Sequence, residues 1–186
     1  MRTLIIYQSY FGNTHLIASS LARHFKELGD VVLYDIERHQ NGFDFTSFDL
    51  VVIGGPTRFA RISVPMQRFL KSPKVKGLLD RPVVAFDTRY GKEHKHNLFV
   101  RLLIWLRGYG VNDLEKRLDK LTVTRLVDGE GFTVSGPEGP LSDHTEKRVG
   151  AFVARVAVAM QEANKAPISQ VSDHMKTTEI TDSQAS

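Results

Sequence analysis

The first part of the chain has the pattern of a strand, a tight turn and a helix in immediate succession. The apolar run Leu4-Ile5-Ile6-Tyr7 predicts a buried strand, and helical periodicity begins at Leu16. Between them lies Ser9-Tyr10-Phe11-Gly12-Asn13-Thr14. A helix start offers unpaired N–H groups and the positive end of its dipole, and glycine allows close backbone approach. The turn therefore predicts a phosphate site. It contains no Lys or Arg, which favours a phosphomonoester over a nucleoside triphosphate.

Further apolar runs continue without alternating with polar residues. Leu50–Ile53 and Val83–Phe86 are typical of strands covered on both faces of a parallel sheet. Helical patterns separate these runs, which predicts a doubly wound α/β domain. The predicted strands are Thr3–Gln8, Val31–Ile36, Asp49–Gly54, Pro82–Thr88 and a split strand, Leu121–Arg125 with Phe132–Ser135; the predicted helices are Asn13–Leu28, Pro65–Leu70, about His94–Leu118 and Asp143–Ala163.

Two local patterns add detail. Asp143 followed by Glu146 predicts a capping box, and the connection Glu37–Phe48 is too short and polar for a robust helix. We expect that connection to be a loop that leaves one sheet face partly covered. One helical stripe should pack on the sheet: Val149, Phe152, Val153, Val156 and Met160.

Composition limits the function classes. The chain is 41% hydrophobic and 25% charged, as expected for a globular protein. It has no cysteine, which excludes disulfides, thiolate catalysis and thiolate metal sites. No signal segment or membrane-length apolar run is visible, so we expect a cytoplasmic protein. We expect one domain over residues 1–164 and a disordered tail over 165–186, where Ser, Thr, Asp and Gln dominate.

Charge and an apolar segment bear on partners. The net charge is +4, and twelve Lys or Arg lie between Arg58 and Arg107. This stretch is either a solvated rim or an attractor of anionic ligands; no nucleic-acid-binding signature accompanies it. The segment Leu98–Leu106 is apolar around most of its circumference. That favours packing between the sheet and a second subunit, as in a homodimer, over contact with a membrane surface.

Three short segments follow predicted strands. They are the turn at Ser9, Gly54-Gly55-Pro56-Thr57-Arg58-Phe59 and Asp87-Thr88-Arg89-Tyr90-Gly91. Ligands of parallel sheets bind beyond the carboxyl ends of the strands. Together the segments would supply a phosphate cradle, polar groups and aromatic rings for a planar ligand.

These motifs, in this βα order, resemble the flavodoxin-like family from about Thr3 to Ala163. Tyr7-x-Ser9-x-x-Gly12-Asn13-Thr14 is similar to its FMN phosphate loop, and Gly55–Phe59 is similar to its second flavin loop. Phe132–Leu141 resembles its last strand and helix entry. The likeness is closest to the quinone-reductase branch, once described as tryptophan-repressor-binding flavoproteins. It implies a five-stranded parallel sheet in the order 2-1-3-4-5.

The resemblance implies an FMN-binding redox protein, with NAD(P)H as donor and a quinone or similar acceptor. No catalytic side chain is needed, because the flavin carries the chemistry. Two alternatives remain: a one-electron carrier that serves redox protein partners, and a sensor or interaction module without catalysis. A phosphorylated receiver is excluded, because Gly54-Gly55 and Gln8-Ser9 stand where it needs acids. The implied contacts are Ser9, Tyr10, Phe11, Gly12, Asn13 and Thr14 for phosphate; Pro56, Thr57, Arg58 and Phe59 for the ring; and Thr88, Arg89, Tyr90 and Gly91 for its pyrimidine end.

Some of these residues also have simpler interpretations. Ser9 and Thr14 can act as helix caps, and Arg58 and Arg89 are either solvated charges or contacts for an anion such as the NAD(P)H phosphate. We expect His15 to meet solvent or the phosphate. The chain departs from the electron-carrier flavodoxins, which are usually acidic, in its basic pI of about 9.4. It departs from the quinone reductases in a third loop without their glycine-rich run.

Overall fold

The computed structural model describes residues 1–38, 43–58, 60–78, 80–90, 110–134 and 143–165; the side chains of Arg58, Tyr90 and Asp143 are not described. A parallel sheet forms its centre. The strands are β1 Arg2–Tyr7, β2 Asp30–Asp35, β3 Leu50–Arg58, β4 Arg61–Ile62, β5 Val83–Tyr90 and β6 Glu130–Val134.

Parallel pairing gives the order β2-β1-β3-β5-β6, and the two-residue β4 pairs antiparallel with β3. Without β4 this is the expected order 2-1-3-4-5, so the predicted fold class is confirmed. The order places β1 and β3 side by side at the centre. From β1 the chain moves outward to β2 on one side, and from β3 it moves outward to β5 and β6 on the other, so the strand order reverses between β1 and β3. Ligands of such sheets bind at this point.

Helices and one 3₁₀ turn cover the sheet. They are α1 Asn13–Phe25, α2 Val64–Phe69, the 3₁₀ turn Pro73–Leu78, α3 Gly110–Asp119 and α4 Asp143–Lys165. α1 packs against α4 on one face, while α3 packs against β3, β4 and β5 on the other. α4 includes Lys165, the first residue of the expected tail. The remainder of that tail lies outside the described residues.

Both faces of the sheet are buried, which explains the unbroken apolar runs. Leu4 and Ile6 belong to the core beneath α2 and α3, whereas Ile5 and Tyr7 belong to the core beneath α1 and α4. Leu4, Ile5 and Ile6 have no exposed surface. Each such side chain contributes about 1.5–3 kcal/mol through burial. The predicted stripe on α4 is buried as expected.

Two strands are longer than expected at their carboxyl ends. Gly55 and Pro56, expected in a loop, pair with Asp87 and Thr88 of β5, and β5 continues to Tyr90 alongside β6. The split strand is half correct. β6 forms, but its predicted first half contributes only an isolated bridge between Arg125 and Val83.

One of the two local expectations needs correction. The described part of the 37–48 connection is a loop as expected, but Phe45 and Phe48 are buried in it and help to cover that face of the sheet. Oε2 of Glu146 accepts hydrogen bonds from Ser20 and Arg23 of α1. The capping box stays a prediction, because the Asp143 side chain is not described.

Candidate functional site

A cleft lies at the carboxyl ends of β1, β3 and β5, and all three predicted ligand segments contribute to it. The described residues enclose about 100 Å³ there. Whole-cofactor pockets are larger, ~300–1,000 Å³. The volume that the described residues enclose is therefore smaller than that of a whole-cofactor pocket. The lining residues are Ser9, Tyr10, Phe11, Asn13, Thr14, Pro56, Thr57, Thr88, Arg89 and Val134.

The start of α1 is open toward this cleft. Its N-cap, Gly12, has φ 89° and offers no side-chain cap, and the first turn contains no acidic residue. A Cβ on Gly12 would meet nothing within 4 Å, so the space beside the turn is empty. Ser9 Oγ accepts a hydrogen bond from the His15 N–H at 3.3 Å and keeps its own hydrogen to donate. Ser9 is thus partly a cap, and the turn fits an anion such as a phosphate.

The Thr14 hydroxyl has a partner within the protein. Its Oγ1 lies 2.7 Å from Thr88 Oγ1, and both residues are almost fully buried. One hydroxyl donates to the other, so the pair connects the start of α1 to the end of β5. Thr14 fixes the relative position of two cleft segments as well as lining the cleft itself.

Two aromatic side chains stand exposed at the rim. Phe11 is 56% exposed and Tyr10 is 38% exposed, and both line the cleft. Their ring centroids are 6.3 Å apart with a 52° angle between the planes. Exposed aromatic rings beside a polar cradle suit a planar ligand that carries a phosphate.

Asp87 is a functional candidate that the sequence reasoning missed. It has no exposed surface, and its Oδ2 accepts hydrogen bonds from the Thr57 hydroxyl at 2.5 Å and the Val111 N–H at 2.8 Å. Arg89 Nε lies 3.3 Å from Oδ1. The only signal in the sequence is an acid placed directly after the apolar run Val83–Phe86. The sequence does not indicate which residues Asp87 contacts.

The ionisation of Asp87 is opposed and supported by its surroundings. Burial raises the pKa of the carboxyl, while Arg89 and the hydrogen bonds from Thr57 and Val111 lower it; burial is the larger effect. The arrangement of donors nevertheless fits the carboxylate, because Oδ2 receives two donors and Oδ1 faces a guanidinium. Oδ1 accepts no hydrogen bond among the described residues, so Arg89 acts on it through its charge at 3.3 Å.

Some of the other predicted residues have described side chains, and the rest lie partly or wholly outside the described residues. His15 is exposed as expected, and its Nδ1 also lies 2.8 Å from the Tyr7 hydroxyl. Burial, with Asp35 nearby, raises the pKa of Tyr7, while Arg38 acts in the opposite direction. Arg89 is 16% exposed and paired with Asp87, so it is not a solvated surface charge.

Arg58 and Tyr90 are described in backbone only; Phe59, Gly91, the segment Leu98–Leu106 and residues 135–142 lie outside the described residues.

The described residues form neither a membrane-spanning helix nor a metal-binding cluster. None of the helices in the described ranges is long and apolar enough to cross a membrane. No group of three or more His, Asp or Glu residues in the same ranges could hold a metal ion.

The sheet order, the helices on both faces and the cleft at the switch point define a flavodoxin-like α/β protein. The sequence model of the flavodoxin domain matches residues 4–126. The chain therefore belongs to the flavodoxin domain family. A sequence search of curated proteins found no match.

Solved structures share the fold at low sequence identity. Flavodoxin 1 from Bacillus cereus is 15% identical with a TM-score of 0.63, covering 85% of this chain and 98% of that one. A WrbA-like flavodoxin from Agrobacterium tumefaciens is 17% identical with a TM-score of 0.62, covering 87% and 98%. Rubredoxin:oxygen oxidoreductase from Desulfovibrio gigas is 15% identical with a TM-score of 0.64, covering 89% of this chain but 37% of its own length.

Proposed function

We propose that this protein binds FMN in the cleft and uses it to transfer electrons from NAD(P)H to quinones or similar acceptors. The observation that carries the proposal is the open start of α1, which shares one cleft with residues from the ends of β3 and β5. When bound, FMN supplies the hydride-accepting and electron-donating chemistry. The protein supplies binding and orientation.

The chain's own groups have distinct tasks in this proposal. The amides at the start of α1 and the Ser9 hydroxyl bind the phosphate, and Gly12 leaves room for it. Tyr10 and Phe11 shield the ring from water on the exposed side. Thr57 and Arg89 lie at the inner side of the cleft.

The basic charge supports the reductase over the one-electron carrier. Electron carriers of this fold are typically acidic, whereas this chain has a net charge of +4 and a pI of about 9.4. Excess positive charge attracts the phosphates of NAD(P)H by long-range electrostatics. It also opposes docking to a basic protein partner.

The first experiment measures FMN binding. The purified protein should show a flavin absorption spectrum, or quench FMN fluorescence on titration. Asn13→Asp places a negative charge in the first turn of α1, where it favours the helix but repels a phosphate. We expect the Kd for FMN to rise about tenfold, equivalent to about 1.4 kcal/mol. Gln161→Glu adds the same charge on the exposed surface of α4 and should leave the Kd unchanged.

The second experiment separates the reductase from its alternatives. FMN-loaded protein should oxidise NADH or NADPH in the presence of a soluble quinone, with multiple turnovers. Flavin that is reduced by a chemical reductant but not by either nicotinamide would favour the carrier. A folded protein that never binds FMN would overturn the redox proposal and favour the interaction module.

A further inference from the structure

A buried polar linkage connects the inner side of the cleft to α3. Asp87 Oδ2 binds the Thr57 hydroxyl and the first-turn amide of Val111, while Oδ1 faces the Arg89 guanidinium. Thr57 and Arg89 both line the cleft. Asp87 itself does not line it. The carboxylate therefore acts on a cleft ligand through Thr57, which donates a hydrogen bond to it, and through Arg89, whose charge lies 3.3 Å away.

The space around this linkage is tightly filled. A Cβ on Gly110 would lie 2.1 Å from Thr57 Oγ1 and 3.1 Å from Asp87 Oδ2. A Cβ on Gly131 would overlap the Arg89 guanidinium. Glycines at these two positions let the backbones of α3 and β6 approach the pair closely. The close packing at Gly110 restricts the position of Thr57.

The linkage controls the electric charge that Arg89 presents to the cleft. Arg89 carries a permanent positive charge, and the Asp87 carboxylate at 3.3 Å offsets it. Glu130 also faces Asp87, but it is hydrogen-bonded to Arg148 and Arg155 of α4. Charges in a water-poor site act strongly on a nearby group that gains negative charge.

We propose that Asp87 is a positioning residue that sets the reduction potential of the bound flavin by offsetting the charge of Arg89 and holding Thr57. The inference rests on the proposed FMN binding. Reduction adds electrons to the ring, so removal of one negative charge beside the cleft stabilises the reduced form and raises the potential. Loss of the Arg89 charge has the opposite effect.

Asp87→Asn is the first test, because the amide keeps the size of the carboxyl and its oxygen can still accept from Thr57 and Val111. We expect the midpoint potential of the FMN-loaded protein to rise. A tenfold gain in relative affinity for reduced over oxidised FMN corresponds to about 30 mV for a two-electron couple. The double variant Asp87→Asn with Arg89→Gln restores the charge balance and should return toward the wild-type potential. A purely structural role would not produce this reversal.

Glu115→Gln is the matched control. Glu115 Oε1 also accepts from a backbone amide, that of Gly129, and from an arginine, Arg125, but it does not line the cleft. The midpoint potential of the FMN-loaded Glu115→Gln variant should equal that of the wild type. An unchanged potential in Asp87→Asn, or an equal shift in Glu115→Gln, would overturn the inference. If Asp87→Asn fails to fold, Arg89→Gln alone must lower the potential, and an unchanged value would equally overturn it.

A second measurement uses the flavin-free protein. Phenylglyoxal modifies exposed arginines, and the sites are identified by mass spectrometry. Arg89 is 16% exposed and should react slowly in the wild type, and several-fold faster in Asp87→Asn. Glu115→Gln should accelerate Arg125 and leave Arg89 unchanged. Equal Arg89 rates in wild type and Asp87→Asn would overturn the pairing. A wild type that binds no FMN would instead overturn the proposed function, so the two failures are distinct.

Discussion

Thr14 and Thr88 share one hydrogen bond between hydroxyls that have almost no contact with water. Thr14→Val removes one partner and leaves the Thr88 hydroxyl buried without it. An unsatisfied buried hydroxyl costs about 1–3 kcal/mol, so we expect the free energy of unfolding in urea to fall by that amount. FMN binding should weaken as well, because the pair fixes α1 relative to β5.

Thr14→Ser is the control for this change. It keeps the hydroxyl and loses only a methyl group, so most of the stability and the FMN affinity should remain. If valine and serine were equally destabilising, packing of the methyl group and not the hydrogen bond would be the important contribution.

Glu130 is a second residue whose charge state matters. Burial would raise the pKa of its carboxyl, but the hydrogen bonds from Arg155 and Arg148 outweigh burial and hold the pKa below its usual value. A lowered pKa in the folded state stabilises the protein above the unfolded-state pKa of the group, and this contribution is lost as the pH falls through the folded-state value. We therefore expect the stability difference between wild type and Glu130→Gln to shrink in acid.

The measurement is urea unfolding at a series of pH values from neutral to acid. Glu162→Gln, on the exposed surface near the end of α4, removes the same charge without this network and serves as the control. A Glu130→Gln difference that stays constant across the series would show that Arg148 and Arg155 do not hold the carboxylate ionised.

Among the elements, α1 and α4 are joined by a polar contact within an otherwise apolar face. Glu146 Oε2 accepts from the Ser20 hydroxyl at 2.7 Å and from Arg23 at 2.8 Å. Glu146→Ala should lower the free energy of unfolding by about 1–2 kcal/mol, because the Ser20 hydroxyl is 3% exposed and loses the acceptor for its hydrogen, keeping only the bond that it accepts from Arg23.

A double-mutant cycle isolates this contact. Ser20→Ala combined with Glu146→Ala should cost less than the sum of the single changes, with a coupling of about 0.5–1.5 kcal/mol. Additive effects would show that α1 and α4 are held by their apolar contacts and not by this hydrogen bond.

The sequence predicts the strand cores and the sheet order well, because apolar runs of this length must be buried on both faces. It misplaces strand ends. Gly55 and Pro56 are typical of loops, yet they pair with β5, and such pairing depends on a strand distant in the chain. The residues that line the cleft follow from the topology, because parallel strands end at one edge. The roles of Asp87 and Thr14 do not follow, since their partners lie 24 and 74 residues away.

At the scale of the whole molecule, the cleft joins β1, β3, β5 and the start of α1, which are the central elements of the fold. A ligand bound there stabilises the whole domain and not one segment. At a free concentration of one hundred times its Kd, FMN should raise the free energy of unfolding by about 2.7 kcal/mol.

Riboflavin has the same ring without the phosphate, so it tests whether the turn at Gly12 binds the phosphate. We expect riboflavin at the same concentration to stabilise the wild type much less than FMN, because the positive end of the α1 dipole favours only an anion. Asn13→Asp should remove about half of the stabilisation by FMN, because its tenfold higher Kd costs about 1.4 kcal/mol, and should leave the riboflavin effect unchanged. Equal stabilisation of the wild type by the two ligands would place the phosphate outside this turn. The strand–turn–helix pattern would then serve the fold alone.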